Sequence, residues 1–464
     1  MTQVEALAKY AARASYADLS AESRRQLPIH ILDSLGCCIA ALGAGPVQAC
    51  REQVAEFGAA SPSTSGDAGS SCSLIGGGQA NPIYAAFWHT ALVRYVDFMD
   101  NFLAQTETCH TADNFGVALT IADYVGGSGR DLMLAVALAY TVQSRFVDHA
   151  NFMMRGFDHT TQLAFSLNAA AGRLLGMSEP QIANAIAMAA TSDASFAVVR
   201  AKPLSQWKGL ASSQSALGAM NTLFLARRGV EGPLQVIEGA NGIDHLLHRQ
   251  VLIDWDKAGY EGVLESTIKK YNAMIHTQSA VHCMVELAGQ NKVDPTKVVA
   301  IEADVTRMTY DFAGGGLYGV DKVIRTKEQA DHSLPYLLAV ALLDGDVMPA
   351  QFEPDRIAKA DVQLLLKKVS VRPDQEFTDQ YPGKMPAKVT VRLQDGKVIE
   401  HEVQDFPGLP SHPFTWDDAV EKFDRLVAGR VDPQLSQEIR DAVRSLESIG
   451  VRDLTKLLGN VRVG

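Results

Sequence analysis

Residues able to move protons on an anionic substrate are concentrated in four short segments of this 464-residue chain. The densest, residues 95–116, reads YVDFMDNFLAQTETCHTADNFG and carries Asp97, Asp100, Asn101 and His110. It connects two helical stretches, and catalytic groups are often found on loops that rigid elements hold in place. The segment therefore predicts an acid–base site. The same pattern is also consistent with acids that cap helices and a histidine that is simply exposed.

A second segment, residues 148–162, reads DHANFMMRGFDHTTQ and contains His149 and His159. Their separation does not match the i, i+4 spacing of two metal ligands on one helix. His159 directly precedes an alanine-rich helical stretch, which would place its imidazole at a helix N-terminus facing a pocket. The alternative is a structural histidine whose hydrogen bonds are satisfied within the protein.

The third segment places lysines in apolar surroundings. In VVRAKPLSQWKGLASS, residues 198–213, Lys202 and Lys208 bracket a proline and a tryptophan. Buried lysines are uncommon and are usually paired, so two of them in this setting predict a pocket for carboxylates. The alternative is a pair of solvated lysines that flank the start of a helix.

The fourth segment, residues 266–282, offers Lys269 and His276 where the helical pattern of the chain gives way to a different one. Ligand sites favour such junctions. Tyr318 follows in the glycine-rich loop AGGGLYGVD, where a backbone can approach a ligand closely. That loop lacks the Walker A pattern of a phosphate cradle. Together the four segments favour proton transfer by His and Asp on a substrate whose carboxylates are held by cations.

Composition narrows the class of protein. A formal net charge of −11 argues against a protein that binds nucleic acid or an anionic membrane surface. The apolar runs are too short to span a membrane, and the N-terminal residues do not resemble a secretory signal. The six cysteines are scattered without a CxxC pair, so a zinc ribbon or a redox dithiol is unsupported. We therefore expect a cytoplasmic protein with free thiols.

The organisation of the chain predicts a mainly α protein with an α+β insert. Residues 1–267 are helical almost throughout. Residues 268–404 have the pattern of an α+β module, with a strand at Val298–Val305 and a later hairpin that turns on Asp395-Gly396. Residues 405–464 return to amphipathic helices, which we expect to complete the helical domain.

Local signals place individual helices within the first of these regions. Asp131 and Ser178 have the position and type of helix N-caps. The many alanines and glycines predict closely packed helices, and the absence of β-branched runs between them argues against a sheet wound with helices. The predicted helices are Leu132–Val142, Gln162–Leu175 and Pro180–Ala190.

Taken together, these segments resemble the MmgE/PrpD family of 2-methylcitrate dehydratases and cis-aconitate decarboxylases over nearly the whole chain. The pattern around Asp97 and His110 is similar to the segment of the dehydratases whose histidine motif typically reads HPSDN. KPL at 202–204 resembles the lysine motif of the decarboxylases, and KKY…HTQSAV resembles the start of the family's lid. DHSLPYLLAVALLDG (331–345) and FTDQY…PAKVTVRLQDGK (377–397) follow in the family's order and spacing.

The resemblance implies a homodimeric enzyme that needs no metal or other cofactor. It also implies an all-helical domain, a smaller α+β lid, and a site between them for a small polycarboxylate. Catalytic roles would carry over to His110, His159, Asp97 and Tyr318, with the two histidines as the acid–base pair. The residues that would bind the substrate are Lys202, Lys208, Lys269, His276 and Asn101.

Several positions depart from the family pattern. Asn101 stands where relatives usually have Thr, His110 is followed by Thr-Ala instead of Pro-Ser, and Ser205 replaces a histidine found in decarboxylase-like members. The loop before His110 also differs in length from both types.

The segment HTADNFG is nearer to the dehydratase motif, so dehydration of 2-methylcitrate or a close tricarboxylate is the first hypothesis. Decarboxylation of cis-aconitate, and epimerisation or isomerisation of a related dicarboxylate, are alternatives that use the same kinds of residue. A non-catalytic binding homologue is the alternative of another class.

Overall fold

The computed structural model describes residues 1–59 and 71–462 and divides the chain into two compact units. The mainly α fold with a smaller α+β part is confirmed. The segments 200–208 and 405–414 lie in the second unit, whereas the sequence pattern assigned both to the helical part. The first unit consists of Met1–Val199, Gly209–Ser266 and Thr415–Gly464, and the second of Arg200–Lys208 and Thr267–Phe414.

The first unit is a bundle of helices. Helix Gly129–Ala150 is buried along most of its length, which explains why leucine and alanine occupy nearly all of its faces. The three helices predicted in this region are confirmed; two differ by one or two residues at their ends, and the helix predicted at Leu132–Val142 runs further, from Gly129 to Ala150. The described helices of the first unit that have eight or more residues are Gln3–Arg13, Ala21–Ala41, Gly45–Phe57, Pro82–Tyr95, Phe115–Val125, Gly129–Ala150, Leu163–Leu174, Glu179–Ser192, Ala211–Arg227, Trp416–Val427, Pro433–Arg444 and Val451–Leu458.

Side-chain caps fix where these helices begin. Ser128 is the N-cap of Gly129–Ala150, because its hydroxyl accepts a hydrogen bond from the Asp131 backbone N–H at 3.3 Å. The Asp131 carboxylate accepts in turn from the Ser128 backbone N–H at 2.8 Å. The prediction that Asp131 is the N-cap is wrong, since in this capping box the acid stands three residues after the cap. Ser178 is confirmed as the N-cap of Glu179–Ser192.

Glycines allow neighbouring helices of the first unit to approach closely. A Cβ on Gly36 would lie 3.0 Å from the side chain of Leu426, which belongs to one of the C-terminal helices. A Cβ on Gly116 would lie only 2.5 Å from the backbone nitrogen and Oγ1 of Thr90. The close helix packing expected from the glycine and alanine content is therefore confirmed.

Replacing Gly116 by alanine is expected to destabilise the protein by about 1–3 kcal/mol, because the added methyl group would meet backbone atoms that cannot rotate aside. A urea denaturation curve measures this change. Gly45→Ala is the matched control, since nothing lies within 4 Å of the Cβ that it would add. Equal midpoints for Gly116→Ala and the unchanged protein would contradict the close approach.

The second unit is built around a four-stranded sheet. Val369–Pro373 pairs in parallel with Val298–Val305, which pairs antiparallel with Ala387–Leu393, and that strand continues antiparallel to Val398–Val403. The predicted strand and hairpin are thus confirmed, and Gly396 supplies the positive φ of 86° that the turn requires.

Two helices of the second unit, Gln278–Asn291 and Leu334–Asp344, share one apolar core with the strands. The described shorter helices of this unit are Ile275–Thr277, Pro295–Lys297, Arg307–Thr309, Tyr310–Gly314, Lys327–Ala330, Pro349–Phe352, Pro354–Ile357, Ala360–Leu365, Leu366–Lys368 and Gln375–Thr378.

Three further features of the fold are the lengths of its helices, the state of its cysteines and its short strands. Within the described ranges, no single helix is both long enough and apolar enough to cross a membrane; Ala21–Ala41 and Gly45–Phe57 qualify only as a pair, and they are bent by 91°. All six cysteine side chains are buried, and none forms a disulfide bond within the described residues. The remaining described strands are Cys72–Ser73, Gln79–Ala80, Asn101–Leu103, Thr108–Cys109 and Ser266–Thr267.

Candidate active site

A buried ion pair anchors the start of the polar connector between helices Pro82–Tyr95 and Phe115–Val125. Arg94 Nη1 lies 3.0 Å from Asp97 Oδ1, and both side chains are almost completely buried. Asp97 adopts a φ of 59°, in the left-handed region that aspartate tolerates better than most residues. The pair therefore fixes the direction in which the connector leaves the helix.

Asp100 is the hub of the connector. Its Oδ1 accepts hydrogen bonds from Thr111 Oγ1 and from the Ala112 backbone N–H, both at 2.7 Å. Its Oδ2 accepts from Tyr140 Oη at 2.8 Å and lies 2.6 Å from His30 Nδ1. Burial, reinforced by the neighbouring carboxylate, raises the pKa of Tyr140 well above its usual range, so its hydroxyl remains a donor. Asp100 therefore holds the turn that begins at Thr111 against two helices of the bundle.

Asn101 orients the imidazole of His110. The amide nitrogen of Asn101 lies 2.5 Å from His110 Nδ1, and an amide nitrogen only donates. With the amide in this orientation, Nδ1 is the acceptor and the neutral ring carries its proton on Nε2. Asn101 Oδ1 is buried and has no hydrogen-bond partner within residues 1–59 and 71–462. A half-turn of the amide would therefore break no bond of that oxygen, and it would offer an acceptor to a protonated Nδ1.

His159 lies beside His110. It opens the short helix His159–Gln162, which leads directly into helix Leu163–Leu174, as the sequence indicates. Asp158 caps this turn, because its Oδ1 accepts from the Thr160 backbone N–H at 3.2 Å. The ring centroids of His110 and His159 are 4.6 Å apart, with their planes at 75°. One partly buried and one buried imidazole thus meet edge to face, an arrangement in which one ring can accept a proton while the other donates.

In the second unit, Lys208 is buried against the carboxylate of Asp331. Its Nζ lies 3.3 Å from Asp331 Oδ1 and 3.1 Å from His332 Nδ1, and Lys327 Nζ lies 2.7 Å from the other carboxylate oxygen. Burial alone would raise the pKa of Asp331, but Lys208, Lys327 and His332 hold it well below its usual range. Two ammonium groups share one carboxylate, so this cluster keeps a net positive charge that suits a further carboxylate from a ligand.

Lys269 and His276 form a second buried group in the same unit. Burial, followed by the positive charges of Lys269 and His332, lowers the pKa of His276 to about 3. His276 is therefore neutral near pH 7, and it can exchange hydrogen bonds with a ligand without adding charge. Its Nδ1 is buried and has no hydrogen-bond partner in the described part of the chain.

Tyr318 reaches this group through an aromatic contact. The ring of Phe312 is stacked with His276 at a centroid distance of 5.9 Å, and its centroid lies 6.4 Å from that of Tyr318. Tyr318 itself is 36% exposed. It therefore lies at the outer end of a row of rings whose inner end is buried.

Lys202 lies against the same glycine-rich loop. Its Nζ is 2.9 Å from Asp321 Oδ2 and donates to the Gly319 carbonyl at 3.0 Å. Lys202 is partly exposed, unlike the buried Lys208 and Lys269, and its ammonium group is already paired with a carboxylate of the protein.

The structure brings together three of the residues predicted in the first unit, Asn101, His110 and His159. The fourth, Asp97, is paired with Arg94.

Comparison with known proteins adds an independent observation. The chain matches the MmgE/PrpD N-terminal domain over residues 5–295 and the MmgE/PrpD C-terminal domain over residues 271–448. The chain belongs to the MmgE/PrpD family. The resemblance drawn from the motifs is thereby confirmed.

Curated relatives of this MmgE/PrpD protein are dehydratases, and dehydratases are hydro-lyases. The 2-methylcitrate dehydratase of Cupriavidus necator is 26% identical over 392 residues, covering 78% of this chain and 78% of the relative. That of Salmonella typhimurium is 24% identical over 442 residues, covering 89% and 87%. An alkylcitrate dehydratase of a fungal species is 24% identical over 459 residues, covering 92% and 88%.

Several polar residues around these groups carried no clear signal in the sequence. His30 and Tyr140 are far from the connector along the chain and lie within apolar helices, so only the packed bundle shows that both contact Asp100. Asp331 and His332 belong to the DHSLPY segment, which resembles the MmgE/PrpD pattern, but no local pattern in that segment indicates their contact with Lys208. Glu107 lies in the loop before His110, and the unusual length of that loop is the one sequence feature that draws attention to this residue.

Proposed function

We propose that this protein is a cofactor-independent hydro-lyase that removes water from a small polycarboxylate, with 2-methylcitrate or another alkylcitrate as the preferred substrate. The observation that carries the proposal is the pair formed by His110 and His159, with their ring centroids 4.6 Å apart and Asn101 in contact with one of them. The dehydratase names of the relatives support it, as does the HTADNFG segment.

The proposed reaction is a β-elimination. A base removes a proton from the carbon next to a carboxylate, and the electrons of that C–H bond form the new C=C bond. The C–O bond on the neighbouring carbon breaks, and the departing hydroxyl takes a proton and leaves as water. We assign these proton movements to His110 and His159, with Asp97 fixing the connector that carries one of them.

Asn101 allows His110 to follow the proton. With the amide nitrogen toward Nδ1, the Nε2–H of a neutral ring donates a hydrogen bond to a substrate oxygen. With the amide reversed, its oxygen accepts from a protonated Nδ1 and stabilises the imidazolium. The second state is the one that can transfer a proton to the departing hydroxyl, so we propose that rotation of this amide accompanies turnover.

The cations of the second unit are proposed to bind the substrate's carboxylates. The Lys208 cluster retains a net positive charge after its pairing with Asp331, and Lys269 is fully buried. His276 and Tyr318 would add hydrogen bonds as negative charge develops on the substrate. Because Lys202 is already paired with Asp321, we propose a smaller contribution from it.

Lys269→Met is expected to raise KM by about 10- to 100-fold, since a charge-assisted hydrogen bond contributes roughly 1.5–3 kcal/mol. Lys202→Met should raise KM in the same direction but less, because Lys202 is partly exposed. Steady-state kinetics measures both values. Lys297→Met, at a solvated lysine of the same unit, is the control that should leave KM unchanged. An unchanged KM in Lys269→Met would remove Lys269 from the substrate site.

The substrate class is tested by incubating the protein without oxygen, and with a metal chelator, with 2-methylcitrate, citrate or cis-aconitate. Loss of water from 2-methylcitrate supports the proposal. Loss of carbon dioxide from cis-aconitate would replace it with the decarboxylase. Rearrangement without loss of mass would indicate an epimerase or isomerase, and tight binding without any reaction would indicate a non-catalytic homologue. Activity that the chelator abolishes would contradict a metal-independent enzyme.

We also propose that the protein is a homodimer located in the cytoplasm. The homodimer rests on membership of the MmgE/PrpD family, and the cytoplasmic location rests on the scattered cysteines, which suit a reducing compartment. Analytical ultracentrifugation tests the first, because a monomeric mass at micromolar concentration would contradict it.

A further inference from the structure

The hairpin that leads to His110 contains a buried carboxyl group that the proposed reaction does not use. Glu107 is 1% exposed and lies between the short strands Asn101–Leu103 and Thr108–Cys109. Its Oε1 accepts a hydrogen bond from Gln162 Nε2 at 2.6 Å. Its Oε2 is also buried, and the backbone amides of Phe152 and Met153 lie close to the carboxyl group.

The bond between Glu107 and Gln162 joins the two segments that carry the histidines. Glu107 precedes His110 by three residues, and Gln162 follows His159 by three residues within one short helix. In a 3₁₀ turn, side chains at i and i+3 lie one above the other, so Gln162 and His159 share a side of the turn. A contact at Gln162 therefore acts on the segment that orients His159, while the same contact restrains the strand that ends beside His110.

The surroundings of Glu107 favour its neutral form. Burial raises the pKa of Glu107 to about 8; the nearby charge of Asp158 adds to this effect, whereas the backbone amides of Phe152 and Met153 and the Gln162 amide oppose it. Cys109, on the adjoining strand, is also close to Glu107, and burial raises the pKa of its thiol well above the usual value. Near pH 7 the carboxyl is therefore mostly protonated, and ionisation above pH 8 would put a second negative charge beside Asp158.

We propose that Glu107 is a positioning residue that ties the His110 hairpin to the His159 turn through Gln162 and so sets the distance between the two rings. The predicted effect of Glu107 on kcat rests on the proposed function, in which His110 and His159 move the protons. This positioning role explains a buried acid in a loop whose length departs from the family. It also predicts that this acid contributes to the loss of activity in alkaline solution.

The direction of the pH effect follows from the raised pKa. An acid with a pKa raised by folding favours the folded state most at pH values below its unfolded pKa. That advantage is lost as the pH rises through the folded value of about 8. Ionisation strengthens the bond from Gln162, but burial of the charge and repulsion from Asp158 outweigh that gain. The packing around Glu107 should therefore loosen, and kcat should fall, as the pH rises above 8. Glu107→Gln cannot ionise, so this part of the alkaline decline should disappear from its profile.

The test compares Glu107→Gln, which keeps the shape and one hydrogen bond, with Glu107→Leu, which keeps the size and loses the link. At pH 7, Glu107→Leu should lower kcat by about 10- to 100-fold with little change in KM, since small displacements of reacting groups have effects of this size. Glu107→Gln should restore most of kcat. Wild-type kcat and an unchanged alkaline profile in both variants would overturn the proposal. If Glu107→Leu does not fold, Glu107→Gln decides alone, and an alkaline profile identical to wild type overturns it.

A measurement without turnover separates this proposal from the proposed function. In protein labelled with ¹⁵N-histidine, the ring signals of His110 and His159 should shift in Glu107→Leu and should be nearly unchanged in Glu107→Gln. The signals of His149, whose Nδ1 contacts the Arg145 carbonyl, serve as the internal reference. If the ring signals shift in Glu107→Leu but wild type does not dehydrate its substrate, only the proposed dehydratase activity is contradicted. If wild type is active but the ring signals do not shift in Glu107→Leu, only the role of Glu107 is contradicted.

Discussion

His110→Ala is expected to lower kcat by about 10²- to 10⁴-fold, the range that general acid–base catalysis contributes. The imidazole is only partly buried, and its bond to Asn101 is local, so its removal leaves no large cavity. The melting temperature should therefore remain close to that of the unchanged protein. Steady-state kinetics with 2-methylcitrate and thermal unfolding of the same preparation measure the two quantities.

His149→Ala is the matched control for that variant. His149 is also partly buried and belongs to the first unit, but its Nδ1 contacts the Arg145 carbonyl, whereas His110 contacts Asn101 and lies beside His159. Its kcat should be within about threefold of wild type, as expected for a side chain outside the catalytic group. Equal turnover in His110→Ala and wild type would remove His110 from the mechanism.

Asp100→Leu is expected to destabilise the first unit by about 3–5 kcal/mol, because removing one partner of a buried charged network leaves the others without compensation. This variant removes the acceptor of the hydrogen bonds from Thr111, Ala112 and Tyr140, and it removes the close partner of His30. The turn that follows His110 should loosen as well, so activity should fall together with stability. Urea denaturation measures the stability change.

Asp100→Asn separates the charge of Asp100 from its geometry. Its Oδ1 can still accept from Thr111 and Ala112, while an amide nitrogen replaces the oxygen that lies beside Tyr140 and His30. We expect a loss of stability smaller than that of Asp100→Leu. If both variants unfold at the same urea concentration as wild type, Asp100 is not the hub of the connector.

The helical bundle, the strand Val298–Val305 and the hairpin at Gly396 could be predicted because each depends on a local pattern. Apolar periodicity, alternation and turn residues are properties of neighbouring positions. The exact N-cap of a helix is harder to predict when two polar residues near its start both bond to its first turn. Asp131 was predicted as an N-cap because it is an acid before a helix, but Ser128 occupies the cap and Asp131 the third position after it.

The chemistry of the candidate site was harder to predict than its location. The connector around His110 stands out in sequence because polar residues interrupt an apolar region. Its tertiary partners do not, since His30 and Tyr140 look like ordinary members of core helices until Asp100 is seen between them. The same holds for Lys208, whose carboxylate partner Asp331 follows it by 123 residues.

The most direct test is the mass of the product formed from 2-methylcitrate by wild type and by His110→Ala, each treated with a metal chelator. The proposed function predicts that wild type forms a product lighter by one water molecule and that His110→Ala forms very little of it in the same time. An unreacted 2-methylcitrate pool in the presence of folded wild-type protein would contradict the dehydratase, and equal product from both proteins would contradict the role of His110.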